Sequence, residues 1–125
     1  MSFLSRLASS MKGPSAASLA AAQETAQRLI DENAVVVFSK TWCGFCSSTK
    51  RLLSSFGAEY KILELDTMDD GSELQAALAE MTGQSTVPNV FINHKHIGGN
   101  SDLQALRGRL PDMLREAGAL KEETM

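Results

Sequence analysis

Cysteine is scarce: the 125 residues hold two, Cys43 and Cys46, which excludes a small domain built on a disulfide framework. Aromatic residues make up only 6%, and no run approaches the ~18 consecutive apolar residues of a spanning helix, so no membrane role is expected. Basic residues are in deficit, with 12 Lys+Arg against 15 Asp+Glu and a net charge of −3. The positive footprint that phosphate-backbone binding requires is missing, so no nucleic-acid partner is expected. What is present is ordinary for a folded chain: 43% hydrophobic and 22% charged residues, in a length that suits one domain.

The first fifteen residues, MSFLSRLASSMKGPS, stand apart, with Arg6 and Lys12 but no acid before Glu24. No apolar h-region follows, which speaks against a secretory signal. Residues 1–15 read as a flexible extension broken at Gly13-Pro14, residues 16–120 as the folded domain, and residues 121–125 as a loose tail. A serine-rich, basic, acid-free start also suits an organellar transit peptide. The expected compartment is the cytoplasm, with a plastid or mitochondrion as the alternative that the transit reading carries.

From Ser15 the pattern turns helical, with Leu19, Ala22, Ala26, Leu29 and Ile30 on one stripe and Asn33 as its stop. Ala34-Val-Val-Val-Phe38 is a continuous apolar run without polar alternation, which suits a strand buried on both faces. A loop at 39–42 leads to a second helix, whose Phe45, Thr49, Leu52, Leu53 and Phe56 share a face and which Gly57 ends. Tyr60–Leu65 is the second strand, Asp66–Gly71 an acidic turn, and Leu74, Ala77, Leu78 and Met81 mark a third helix ended by Gly83. Asn89–Ile92 is a third strand, joined through an Asn93-His94 turn to a fourth at Lys95–Ile97. Asn100 or Ser101 caps a last helix carrying Leu103, Leu106 and Leu110, and Pro111 starts a shorter terminal one. The order α-β-α-β-α-β-β-α predicts an α/β fold: one four-stranded mixed sheet with helices on both faces.

The chemistry centres on the strand–loop–C-x-x-C–helix arrangement. Cys43 falls where a buried strand ends and a helix begins, and free N–H groups at a helix start favour a thiolate, the form that attacks disulfides. Cys43 is therefore expected to be the exposed attacking sulfur, with Lys40 adding positive charge nearby. Cys46 lies one turn further in, close enough to close a disulfide. A zinc site is the competing use of C-x-x-C, but His94 and His96 are spaced H-x-H rather than H-x₃₋₅-H and sit on the expected hairpin. Two further signals accompany the cysteines. Thr86-Val87-Pro88 precedes a strand, either with a cis bond that turns the Val87 backbone outward or with a trans proline opening an edge. Gly98-Gly99 before Asn100-Ser101-Asp102 either lets backbone approach a ligand at a helix start or forms an ordinary turn and cap.

Taken together, Lys40-Thr-Trp-Cys43-Gly-Phe-Cys46, Gly83-Gln-Ser-Thr86-Val-Pro88-Asn-Val-Phe-Ile92 and His96-Ile-Gly-Gly99-Asn-Ser-Asp102 resemble the motifs of a glutaredoxin. The resemblance runs from about Ala17 to Leu120 and implies a thioredoxin-like three-layer α/β/α sandwich. It further implies a glutathione-dependent thiol–disulfide oxidoreductase that reduces protein–glutathione mixed disulfides and protein disulfides. In that family Cys43 is similar to the nucleophile that becomes glutathionylated, Cys46 to the resolving cysteine and Pro88 to the cis-proline. Val87 would pair its backbone with the cysteinyl unit of glutathione, with Thr86 and Gly99 in the same motifs. Lys40 and Gln75 would meet the glycine carboxylate, Ser101 and Asp102 the γ-glutamyl end, and Phe45 would flank the sulfur. Each keeps an alternative: Gln75 could close a capping box with Ser72, Lys40 could be a solvated loop lysine, and Phe45 could belong to the core.

Three departures from the family pattern stand out. The active site reads CGFC, with Gly44 where the commoner dithiol form has proline; Ser85 stands where many relatives carry arginine; Asn100 stands where many dithiol members have a third cysteine. The implied partners are glutathione as co-substrate, glutathionylated or disulfide-bonded proteins, and indirectly glutathione reductase. The chain is expected to be a monomer without a metal. The alternative is a [2Fe–2S] carrier in which Cys43 and glutathione from two copies bridge a dimer.

Overall fold

The structure, a computed structural model, describes residues 15–121. The expected extension and tail therefore lie, save for Ser15 and Lys121, outside the described residues.

Helix α1 spans Ala16–Glu32. The Ser15 hydroxyl accepts from the Ser18 N–H at 3.1 Å, supplying one of the partners that a helix start lacks. At the other end the Asn33 amide donates back to the Leu29 carbonyl at 2.8 Å. Strand β1, Val35–Ser39, is buried along its whole length because it is interior to the sheet. It runs parallel to β2 (Lys61–Glu64) and antiparallel to β3 (Asn89–Ile92), and β3 pairs antiparallel with β4 (Lys95–Gly98). The order is β2-β1-β3-β4, a four-stranded mixed sheet.

Alternate β1 side chains enter two separate cores, as the two-residue period of a strand requires. Val36 and Phe38 join Leu63, Phe91, α1 and helix α3 (Gly71–Thr82). Val35 and Val37 join Val90, Ile92 and the helices α2 (Gly44–Ser55), α4 (Asn100–Ala105) and α5 (Leu110–Ala117). Full burial of such a side chain contributes about 1.5–3 kcal/mol before entropy is counted, so β1 is the strand on which both cores depend. The result is the three-layer α/β/α, thioredoxin-like arrangement.

Four boundaries differ from expectation. Strand β2 stops at Glu64, and Leu65–Thr67 forms one turn of 3-10 helix. Gly71 does not end a turn but opens α3, because a Cβ there would collide with the Leu65 carbonyl. The cap of α4 is Gly99, so Asn100 is already helical. Leu110 belongs to α5, whose first turn accommodates Pro111 where no N–H is needed. The Asn93-His94 hairpin turn is as expected, with φ of 53° and 69°, the left-handed pair that a two-residue hairpin needs.

Candidate active site

Strand β1 delivers the chain to a three-residue loop, Lys40–Trp42, and α2 begins behind Cys43. Two anchors fix that loop. The Cys43 N–H donates to the Lys40 carbonyl at 3.2 Å. Asp66, just after β2, accepts from the Thr41 N–H at 3.0 Å and from the Thr41 hydroxyl. These donors, the hydroxyl first, hold the Asp66 carboxyl below its usual range against a smaller desolvation effect. The Lys40 ammonium stands 5.6 Å from the centre of the Trp42 ring, within cation–π range.

Cys43 caps α2 with its own sulfur: Sγ accepts from the Cys46 N–H at 3.2 Å. The Cys43 thiol lies 3.8 Å from the Val87 carbonyl, to which it donates. Contrary to expectation, Cys43 is only 8% exposed, because its sulfur is tucked between its own helix start and the Val87 loop. Cys46 is fully buried, and that burial pushes its thiol up. The neighbouring Cys43 acts in the same direction, and the Ser39 hydroxyl and Lys40 backbone oppose it. The exposed groups at this end are the aromatics, Trp42 at 72% and Phe45 at 70%. Phe45 thus leaves the face it was expected to share: one turn ahead of Thr49, it precedes the residues that pack on the sheet.

A cavity of about 530 Å³ opens beside the sulfur. Phe45 lines one side, Thr86, Val87 and Pro88 a second, and Gly99 to Asp102 a third, with Gln84 completing the lining. The Val87–Pro88 bond is cis. On the third side Gly98 holds φ +123°, where any side chain would run into the Asp102 carboxylate. That carboxylate accepts from the Gly99 N–H at 2.9 Å, tying the helix start to the glycine turn.

The fold therefore gathers Phe45, Thr86, Val87, Pro88, Gly99, Ser101 and Asp102 around one cavity; Cys43 and Cys46 are not in its lining, and Cys43 adjoins it through its contact with Val87. Lys40 and Gln75 are not in that lining. The Gln75 amide donates to the Ser85 carbonyl at 2.8 Å, joining α3 to the loop before Pro88. Its capping alternative does not form, since the Ser72 hydroxyl turns to Glu73 at 2.6 Å. Two lining residues were given no binding role from sequence: Gln84, quoted only as part of a motif, and Asn100, noted as a candidate cap and as a departure from the family cysteine. Asn100 Oδ1 accepts from the buried Thr49 hydroxyl at 2.9 Å and from the Gln104 amide at 3.2 Å, linking α2 to α4. The signal for Gln84 was its place inside a motif segment, not its residue type. His94 and His96 are exposed hairpin residues, and no group of three or more His, Cys, Asp or Glu able to hold a metal occurs among the described residues.

A Cys-x-x-Cys dithiol at a helix start, beside a proline-led strand of a four-stranded mixed sheet, makes this a thioredoxin-like protein. The Glutaredoxin family model matches residues 35–97. A glutaredoxin of Ricinus communis is 58% identical over 96 residues, which cover 75% of this chain and 94% of that one. A chloroplastic glutaredoxin of Oryza sativa subsp. japonica is 54% identical over 101 residues, covering 79% and 76%. Among solved structures, the crystal structure of a buckwheat glutaredoxin–glutathione complex matches with a TM-score of 0.85 at 48% identity, covering 86% of this chain and 100% of that one. The chain belongs to the glutaredoxin family, whose members are thiol–disulfide oxidoreductases.

Proposed function

We propose that this chain uses glutathione to reduce protein–glutathione mixed disulfides and protein disulfides, with Cys43 as nucleophile and Cys46 as resolving thiol. The observation that carries the reading is the placement of the Cys43 sulfur 3.8 Å from the Val87 carbonyl, at the cavity shared by Val87, Gly99 and Asp102. Glutathione in the buckwheat relative's complex supports it as the ligand.

The Cys43 thiolate attacks the glutathione sulfur of a mixed disulfide. The protein thiolate leaves and takes up a proton, and a Cys43–glutathione disulfide remains. A second glutathione thiolate attacks the bound glutathione sulfur, releasing oxidised glutathione and restoring the Cys43 thiolate. In the dithiol route Cys46 attacks the Cys43 sulfur instead, expelling the bound thiol and closing a Cys43–Cys46 disulfide. Glutathione reductase returns the oxidised glutathione. Exposed backbone at Val87 and Thr86 receives the cysteinyl unit, and Gly99 leaves room beside it. Ser101 and Asp102 meet the γ-glutamyl end, Lys40 and Gln75 attract the glycine carboxylate, and Phe45 covers the sulfur. Opposite charges for the two ends of the tripeptide give selectivity that one apolar patch would not.

The test is a glutathione-coupled assay with NADPH and glutathione reductase on wild type, Cys43→Ser and Cys46→Ser. The alternative is a [2Fe–2S] cluster carrier. Cys46 is fully buried, so Cys43 is the one thiol available per copy, and the remaining ligands would have to come from glutathione and a second copy. Absorbance after anaerobic reconstitution with glutathione tests it. For location we propose the cytoplasm, and the chloroplastic rice relative supports plastid import as the alternative. A fluorescent fusion of the first twenty or so residues separates the two.

A further inference from the structure

One residue of the cavity has a role that the dithiol chemistry does not use. Gln84 lies between Gly83, which ends α3, and Pro88. Its amide nitrogen donates to the Thr86 carbonyl at 3.1 Å and to the Pro88 carbonyl at 2.9 Å. Those two carbonyls flank Val87. With both N–H groups so used, the amide must present its oxygen in the other direction, where His96 Nε2 stands 3.2 Å away. His96 Nε2 also lies 2.8 Å from Oδ1 of the buried Asn89. Two oxygen acceptors facing one ring nitrogen assign the proton to Nε2.

The histidine is suited to that state. Its ring packs on Phe91 with centroids 5.2 Å apart, and desolvation lowers its proton affinity while the Asp102 carboxylate opposes the shift. A neutral ring keeps a single N–H, aimed at Gln84 and Asn89. The Gln84 amide also sits where two sides of the cavity meet: a Cβ on Gly99 would lie 3.7 Å from the Pro88 carbonyl and 3.9 Å from both Gln84 Nε2 and the Asp102 carboxylate.

We propose that Gln84, oriented by His96, is a positioning residue that fixes the Thr86–Pro88 carbonyls so that the Val87 backbone faces the cavity. The proposal rests on the glutathione reading for what that backbone receives. A chain of donors runs from β4 through the Gln84 amide into the loop, and each member has its partner. Removing one releases the carbonyls that Gln84 holds inward, so the loop samples orientations that cannot pair with an extended thiol peptide. Gln84 itself touches none of the reacting sulfurs; it acts through Val87.

Two substitutions test the idea. Gln84→Met keeps the length of the side chain and removes both donors. It should lower kcat/KM for a glutathionylated peptide by about tenfold, the size expected from one or two ordinary hydrogen bonds, with most of the change in KM. Gln84→Glu places a carboxylate against two carbonyls, and only its protonated form, with its single O–H, can donate to one of them. Its kcat/KM, taken as a ratio to wild type at each pH, should therefore rise as pH falls from about 8 to about 5. A glutamine that merely filled space would leave that ratio flat. A third measurement needs no turnover: ¹⁵N shifts of the His96 ring should show the Nε2–H form in the wild-type protein. Absence of glutathione-dependent turnover in wild type would overturn the glutathione reading, while the ring tautomer would still report on the pair. A flat Gln84→Glu ratio with wild-type kinetics in Gln84→Met, or an Nδ1–H tautomer at His96, overturns the positioning proposal. Should Gln84→Met fail to fold, the pH ratio of Gln84→Glu decides.

Discussion

The backbone N–H of Cys46 points at the sulfur of Cys43, 3.2 Å away, while the Cys46 sulfur lies buried behind it. One residue thus donates its N–H to its partner's sulfur, while its own thiol is buried where an anion is disfavoured. The two cysteines are unequal by construction of the helix start.

That inequality sets the outcome of single substitutions. Cys43→Ser should abolish turnover, since the other thiol, Cys46, is fully buried. Cys46→Ser should retain deglutathionylation and lose most reduction of protein disulfides that need a second thiol. Paired assays with a glutathionylated peptide and a disulfide-bonded protein check this; turnover kept by Cys43→Ser and lost by Cys46→Ser would reverse the roles.

Burial raises the Cys46 thiol, and two pH effects follow. Closure of the Cys43–Cys46 disulfide needs the Cys46 thiolate, so its rate should climb about tenfold per pH unit up to the raised value. Rapid-mixing measurements of closure from the Cys43–glutathione disulfide give this slope. Stability moves in the opposite direction. The fold favours the protonated thiol, so its contribution is intact below the ordinary thiol range and is lost as pH rises through the raised value. Wild type should therefore lose more Tm than Cys46→Ala over the same alkaline span.

Asp102→Ala and Lys40→Ala should each weaken use of glutathione by about 0.5–2 kcal/mol, the scale of exposed to half-exposed charge-assisted contacts. Asp102→Ala should also lower Tm, because its carboxylate holds the Gly99 N–H; Lys40→Ala should not. Kinetics against glutathione concentration, with thermal melts alongside, separate the two. Unchanged kcat/KM in both variants removes these residues from the site.

Gly71→Ala should destabilise the fold by about 1–3 kcal/mol, since the new methyl group has no room against the Leu65 carbonyl. The change is remote from the cavity, so the surviving folded fraction should keep wild-type KM. Chemical denaturation and kinetics on one preparation read both quantities.

Several features were legible because they are local. Val35 to Phe38 reads as a doubly covered strand from its lack of alternation, and it is one. Asn93-His94, Gly83 and Gly57 punctuate the chain through their own backbone preferences. The motif segments located seven of the cavity residues through family resemblance. What stayed hidden depends on distant neighbours. Gly71 looks like a turn glycine until the Leu65 carbonyl arrives beside it. Phe45 keeps the helical phase of core residues but has nothing packed above it. Gln84 carries no signal in its type or spacing, since its partners are two carbonyls of its own loop and a histidine on another strand. The expected exposure of Cys43 failed for the same reason: the Val87 loop that shelters it begins some forty residues later.

Because the Cys43 sulfur is itself the cap of α2, helix formation and electron transfer share one atom. In the dithiol that sulfur accepts from the Cys46 N–H; once joined to another sulfur its geometry and acceptor strength change. The two equilibria close a thermodynamic cycle, so whatever steadies the first turn of α2 in the reduced chain also draws the couple towards the dithiol. Ser47, whose N–H and hydroxyl both reach the Cys43 carbonyl at 3.1 and 3.4 Å, sits on that turn without touching either sulfur. A change at Ser47 would therefore move the midpoint potential only so far as its bonds steady that turn more in one redox state than in the other, with both thiols left as they are.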